Sequence, residues 1–224
     1  MERPSGLRRP MYFQGSVIFL VLICQVAMGQ TTRPADLATG SSPRDAVRAL
    51  NFAIRAGDTN AMKQLFLAST PAESRMIDAD AEMSAALARL RTAAVKAFGS
   101  QGADAITGDS DASAVESAAR IDSAEVVVDG DVATVTYRDQ KNSPWVLKKV
   151  DGRWRIPVAQ MGKPMNPASL DQRLADLAVQ RRVVDEMAEQ IRQKKFATAE
   201  QARETWRTRI LQAATSQPTT RPVN

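Results

Sequence analysis

Between residues 124 and 158 apolar and polar positions alternate with a period of two, in the run AEVVVDGDVATVTYRDQKNSPWVLKKVDGRWRIPV. Alternation places successive side chains on opposite faces of a strand, so this run predicts a four-stranded antiparallel meander. Turn residues punctuate it. Asp151-Gly152 and Asp129-Gly130 each read as a two-residue hairpin loop at positive φ, and Asn142-Ser143-Pro144 closes the middle connection. With Asp151-Gly152 as the whole loop, Val150 pairs with Arg153, Lys149 with Trp154, Leu147 with Ile156 and Trp145 with Val158. One face then carries Trp145, Leu147, Trp154, Ile156 and Val158, joined by Ala124, Val126, Ala133, Val135 and Tyr137 of the preceding hairpin, and is the expected core face. The other carries Val146, Lys148, Val150, Arg153 and Arg155 and reads as wet and basic.

Elsewhere the apolar period is helical. Ser42-Pro43-Arg44-Asp45 opens a helix with apolar Val47, Leu50 and Ile54, and Gly57-Asp58 interrupts it before a short helix with Met62, Leu65 and Phe66. Thr70-Pro71-Ala72-Glu73 is a capping box, and the helix it opens carries Met76, Met83, Leu87, Leu90, Ala94 and Phe98 before stopping at Gly99. Residues 100–110, rich in Gly, Asp and Ser, read as a loop, and 112–120 as a short helix feeding the first strand. Asp109-Ser110-Asp111 resembles the start of a calcium loop but lacks its closing Glu. After a linker at 161–167, Leu170, Leu174, Leu177, Val184, Met187 and Ile191 mark a long helix, and Ala202, Trp206 and Ile210 a second. Together they predict a helical hairpin over 168–214. Its charges read as a solvated face.

Arg3, Arg8 and Arg9 precede the apolar run 17–24, and Ala27-Met28-Gly29 offers small residues for cleavage before Gln30, the pattern of a signal peptide over 1–29. That run is short of the ~20 residues a membrane span needs, so the protein is expected to be exported, periplasmic or extracellular. An uncleaved segment would instead anchor it to the membrane N-terminally. Residues 30–42 read as a disordered leader and 215–224 as a disordered tail; Thr-Thr-Arg-Pro occurs in both, at 31–34 and 219–222.

Removing the first 29 of 224 residues leaves 195, enough for a substantial core. The formal charge falls from +5 to +3, because the removed segment holds Arg3, Arg8 and Arg9 against Glu2, and this near-balance points to no nucleic-acid partner. The chain has no histidine, and its one cysteine, Cys24, precedes the cleavage point. Histidine-dependent nucleophilic sites, thiolate chemistry, histidine or thiolate zinc sites and disulfides within the mature chain are therefore excluded. No cofactor, metal or catalytic residue is assigned.

Two segments, AVRALNFAIRAGDTNAMKQLF at 46–66 and VDGRWRIPV at 150–158, resemble the nuclear transport factor 2-like, cystatin-like cone superfamily. The resemblance implies an α+β fold: a curved antiparallel meander packed on the N-terminal helices over 43–160, cone-like, with the C-terminal helical hairpin as an addition. It implies an apolar pocket at the mouth of the cone and a possible homodimer through the sheet. Enzymes of that family, such as ketosteroid isomerase-like proteins, place an acid and a hydrogen-bond donor in the pocket. Neither aligns with a particular residue here.

The sequence therefore leaves two functions open. One is a non-catalytic envelope protein that binds an unknown envelope partner through the cone or the hairpin. The other is a small-molecule pocket, possibly with carboxylate acid–base chemistry, whose candidate residues are Tyr137, Asp139, Trp145 and Trp154.

Overall fold

The computed structural model describes residues 40–108, 110–140, 142–158 and 167–215. The expected signal segment, leader residues 30–39, nearly all of the linker and tail residues 216–224 lie outside them. The chain is α+β. Among the described residues, six helices accompany a five-stranded mixed sheet.

Helix α1 (Pro43–Ala56) starts where the Ser42 hydroxyl accepts from the Asp45 amide and ends at Gly57, which takes the left-handed conformation at φ 65°. Asp58 caps α2 (Thr59–Leu65) in the same way, and the chain runs straight into β1 (Phe66–Leu67). Ser110 caps α4 (Asp111–Asp122), which delivers the chain to β2 (Glu125–Asp129). Strands β3 (Val132–Thr136), β4 (Trp145–Val150) and β5 (Arg153–Pro157) complete the meander, in spatial order β1-β5-β4-β3-β2.

The β4–β5 register is the expected one, with Val150 opposite Arg153 and Lys149 opposite Trp154. Asp151 and Gly152 both have positive φ, at 52° and 77°. Alternation therefore sorted the faces correctly: Ala124, Ala133, Val135, Leu147, Trp154 and Ile156 are all buried. Two details differ. Asp129 pairs with Val132, so the β2–β3 loop is Gly130-Asp131 and only Gly130 has positive φ. The sheet is also not purely antiparallel, because Phe66 and Leu67 pair in parallel with Ile156 and Pro157. A two-residue strand is too short for its alternation to register in sequence.

Helix α3 (Pro71–Thr107) begins at the Thr70 cap as expected and breaks at Gly99, whose φ is 72° and ψ 177°. The expected loop beyond it is helical instead. It folds back, since Arg91 lies 2.9 Å from Asp104, thirteen residues that a straight helix would hold about 20 Å apart. Ala103 and Ile106, three apart, are the buried side of this turn-back. The Gly, Ser and Asp residues around them had outweighed that short apolar signal.

Two cores result. The first joins α1, α2 and the start of α3 to the sheet, around Leu50, Met62, Leu65, Ile77, Ile121 and Leu147. The second joins the later part of α3 to α5 (Pro167–Arg192) and α6 (Ala199–Thr215), around Met83, Leu90, Ile106, Val184, Met187 and Ile191. The two C-terminal helices were expected as an appendage, but they share α3 with the rest of the molecule. An ion-pair ladder sets how α5 lies on α3. Arg75 meets Asp171 at 2.7 Å and Arg89 meets Asp185 at 2.8 Å, with Glu82 and Arg181 paired between them. The separation is 96 residues for both outer pairs, so α3 and α5 run parallel in register. Each exposed pair contributes only about 0.2–1 kcal/mol, but alternating signs disfavour a slipped register.

Candidate functional site

The structure brings three of the four sequence-derived candidates together. Tyr137 follows β3 on the core face, and Trp145 opens β4 directly opposite Val135. The Trp145 indole N–H bonds to the Tyr137 phenol oxygen. Asp139 reaches the group through a residue that sequence reasoning missed, Arg120 near the end of α4. The Arg120 guanidinium lies 5.2 Å from the centre of the Tyr137 ring and 2.7 Å from the Asp139 carboxylate. Trp154 is elsewhere. It pairs with Lys149, four residues and therefore about 14 Å along β4 from Trp145. Its ring is buried in the first core, the Lys149 ammonium lies 5.9 Å from the ring centre, and its backbone N–H donates to the Gly40 carbonyl. Gly40, within the expected leader, is thus held against β5.

The Tyr137–Arg120–Asp139 group is engaged mainly with itself. Burial pushes the Tyr137 phenol up from its ordinary value, opposed by the Arg120 charge and the Trp145 hydrogen bond. The phenol therefore stays protonated across the physiological range. Asp139 spends an oxygen on Arg120 and is 59% exposed at the side chain. The two best-formed concavities among the described residues are open grooves, one lined by Arg91, Thr92, Val95 and Lys96, the other by Glu204, Thr205, Thr208, Arg209 and Gln212. Neither touches the candidate residues.

A second titratable group escaped the sequence reading. Asp80 lies on α3 where α5 crosses it, and burial pushes its carboxyl up to about 6, opposed by the charge of Arg173. The Nε of Arg173 is itself buried without a hydrogen-bond partner. The signal was available, because Asp80 keeps helical spacing with Met76, Met83 and Leu87 on the apolar stripe. An acid within such a stripe faces a packing surface rather than water. Among the described residues no group of three or more acidic or thiol side chains is placed to hold a metal ion, and no helix is long and apolar enough to cross a membrane.

The remaining surface of note is the sheet face opposite the core. The described helices that pack on the sheet meet its core face, through the side chains of the first core. On the other face Val127 is 56% exposed and Val132 41%. Lys148 and Arg155 stand directly opposite each other there, with Arg153 two residues along β5.

No family model matches the chain, and no curated protein or solved structure matches it either.

Proposed function

We propose that this is an exported, non-catalytic binding module of the cell envelope, whose open sheet face receives a partner protein. The observation that carries the reading is that face. Val127 and Val132 project from it, and β-branched side chains left in water on a sheet are a recurrent mark of an interaction surface. Strand β2, at the end of the sheet, leaves its edge exposed beside this face. Export is supported by the Arg3–Arg9 charges, the apolar run 17–24 and the small residues before Gln30. The cone-like, nuclear transport factor 2-like arrangement is supported by the order of elements, in which helices α1 to α4 precede the meander β2 to β5 and the helices α5 and α6 follow it.

The test is photo-cross-linking in the producing cells, with the reactive side chain placed at Val132. The reading expects one defined adduct with a second polypeptide, absent when the probe sits at Leu211 on α6, which is 58% exposed. Equal labelling at both positions, or no adduct at Val132, overturns it.

A small-molecule site beside Tyr137 is the second reading. It is favoured by the half-buried phenol with its stacked Arg120. Tyr137→Phe and Asp139→Asn would then abolish ligand binding with folding intact; unchanged binding in both variants removes it.

A further inference from the structure

We infer that the partner presents an acidic polypeptide segment to the β4–β5 half of the open sheet face; this rests on the binding-module reading above. Directly paired residues across antiparallel strands hold their Cβ atoms about 5 Å apart, and like charges in such a pair repel. Lys148 and Arg155 form such a pair. Arg153 lies two residues from Arg155 on the same face, about 7 Å away. Among the described residues none of these three side chains has a hydrogen bond or an ion pair, although most of the chain's other arginines on the helices do. The Nε of Arg155 is moreover buried with no acceptor. A sheet that sets three cations side by side without a carboxylate is incomplete in charge, and two or three carboxylates at strand or helix spacing would complete it.

The surroundings narrow the occupant further. Val150 stands opposite Arg153, and Val132 opposite Lys148. The triangle of cations is therefore bordered by apolar side chains. A polypeptide with alternating acidic and apolar residues matches both components, whereas a sulfated or phosphorylated polymer matches only the charge. The acids that share this face sit on β2, two strands from Lys148: Asp129 is level with it and about 10 Å away, and Glu125, four residues along, is about 17 Å away. They border the site without neutralising it, and they direct an acidic segment toward β4 and β5.

The chain supplies no such segment from outside the described stretches. Residues 1–39, 159–166 and 216–224 hold two acidic residues, Glu2 and Asp36. A second copy docked face to face with its two-fold axis through the cations would oppose them to themselves, and an axis shifted toward β2 would offer three cations only two acids, Glu125 and Asp129. The occupant is accordingly a segment of a different, acidic polypeptide.

The experiment is fluorescence anisotropy on the full chain, with a labelled peptide alternating Glu and Val as the probe and its Gln–Val counterpart as the control. Lys148→Glu with Arg153→Glu changes two exposed side chains and is expected to leave the melting curve unaltered. Lys148→Ala alone serves if the double variant unfolds. The Glu–Val peptide should bind, weaken about tenfold or more in the double variant and several-fold in Lys148→Ala, and weaken as salt rises. Equal affinity of wild type and variants, or of the Glu and Gln peptides, overturns the inference. So does variant-sensitive binding of dextran sulfate or anionic vesicles without peptide binding, or self-association that the double variant abolishes. If the peptide fails while the Val132 adduct persists in the double variant, the acidic assignment falls and the binding-module reading stands. If both fail, both fall.

Discussion

Replacing Asp80 by Asn should make the protein more stable, and only above about pH 4. The Asp80 carboxyl is held at about 6 against an ordinary 3.8 because the charged form is desolvated between α3 and α5, with the Arg173 charge compensating only in part. A shift of about two units corresponds to roughly 3 kcal/mol between the two protonation states. The sign follows from proton binding. Between the ordinary value and the raised one, the folded protein holds a proton that the unfolded chain has released. Stability linked to this group is therefore complete below about pH 4, falls as pH rises, and has been lost above about pH 7. Asparagine keeps the shape and carries no charge, so the variant should gain up to about 3 kcal/mol at pH 8 and almost nothing at pH 4. The assay is urea unfolding at several pH values between 4 and 8. With a slope near 2 kcal/mol/M, the wild-type midpoint should drop by about 1.5 M across that range while the variant stays level in that window. A variant that keeps the wild-type pH dependence, or that is less stable than wild type at pH 8, would show that Asp80 is not destabilising as its charged form. The second result would mean that the carboxylate–Arg173 attraction outweighs the desolvation.

Three further outcomes follow from packing. Gly57→Ala should destabilise by about 2–4 kcal/mol in chemical unfolding, since the position has φ 65° and a Cβ there would lie 2.8 Å from the Ala88 Cβ. Ile191→Ala removes a side chain that is 1% exposed in the second core and should cost about 2–5 kcal/mol; α1 and the sheet should lose stability with it in hydrogen exchange, because α3 belongs to both cores. Tyr137→Phe leaves the Trp145 indole N–H without its acceptor and should cost about 1 kcal/mol, measured by urea unfolding.

The parts of this fold that were legible in the sequence are those fixed by local chemistry. Asp151-Gly152 set one hairpin register, and with the side-chain period at two that register separated the buried Leu147, Trp154 and Ile156 from Lys148, Arg153 and Arg155. Ser42, Asp58 and Thr70 each announced a helix start, because a cap is read within three residues. What was missed depends on distant partners. The turn-back after Gly99 is helical because Ala103 and Ile106 pack into a core completed by α5 and α6, some eighty residues later. Arg120 joins Tyr137 and Asp139 through an approach of α4 to the end of β3, which no local pattern encodes. Trp154 shares a face with Trp145, yet sharing a face says nothing of distance along the strand, and so Trp154 stands apart from the other three candidate residues.

The binding-module reading stands or falls most directly on native mass spectrometry of the protein recovered from the envelope of its producing cells. The expected species is a chain beginning at Gln30 in complex with a second polypeptide, the complex dissociating as salt is raised. A chain that carries a stoichiometric small molecule and no partner protein would rule the binding module out.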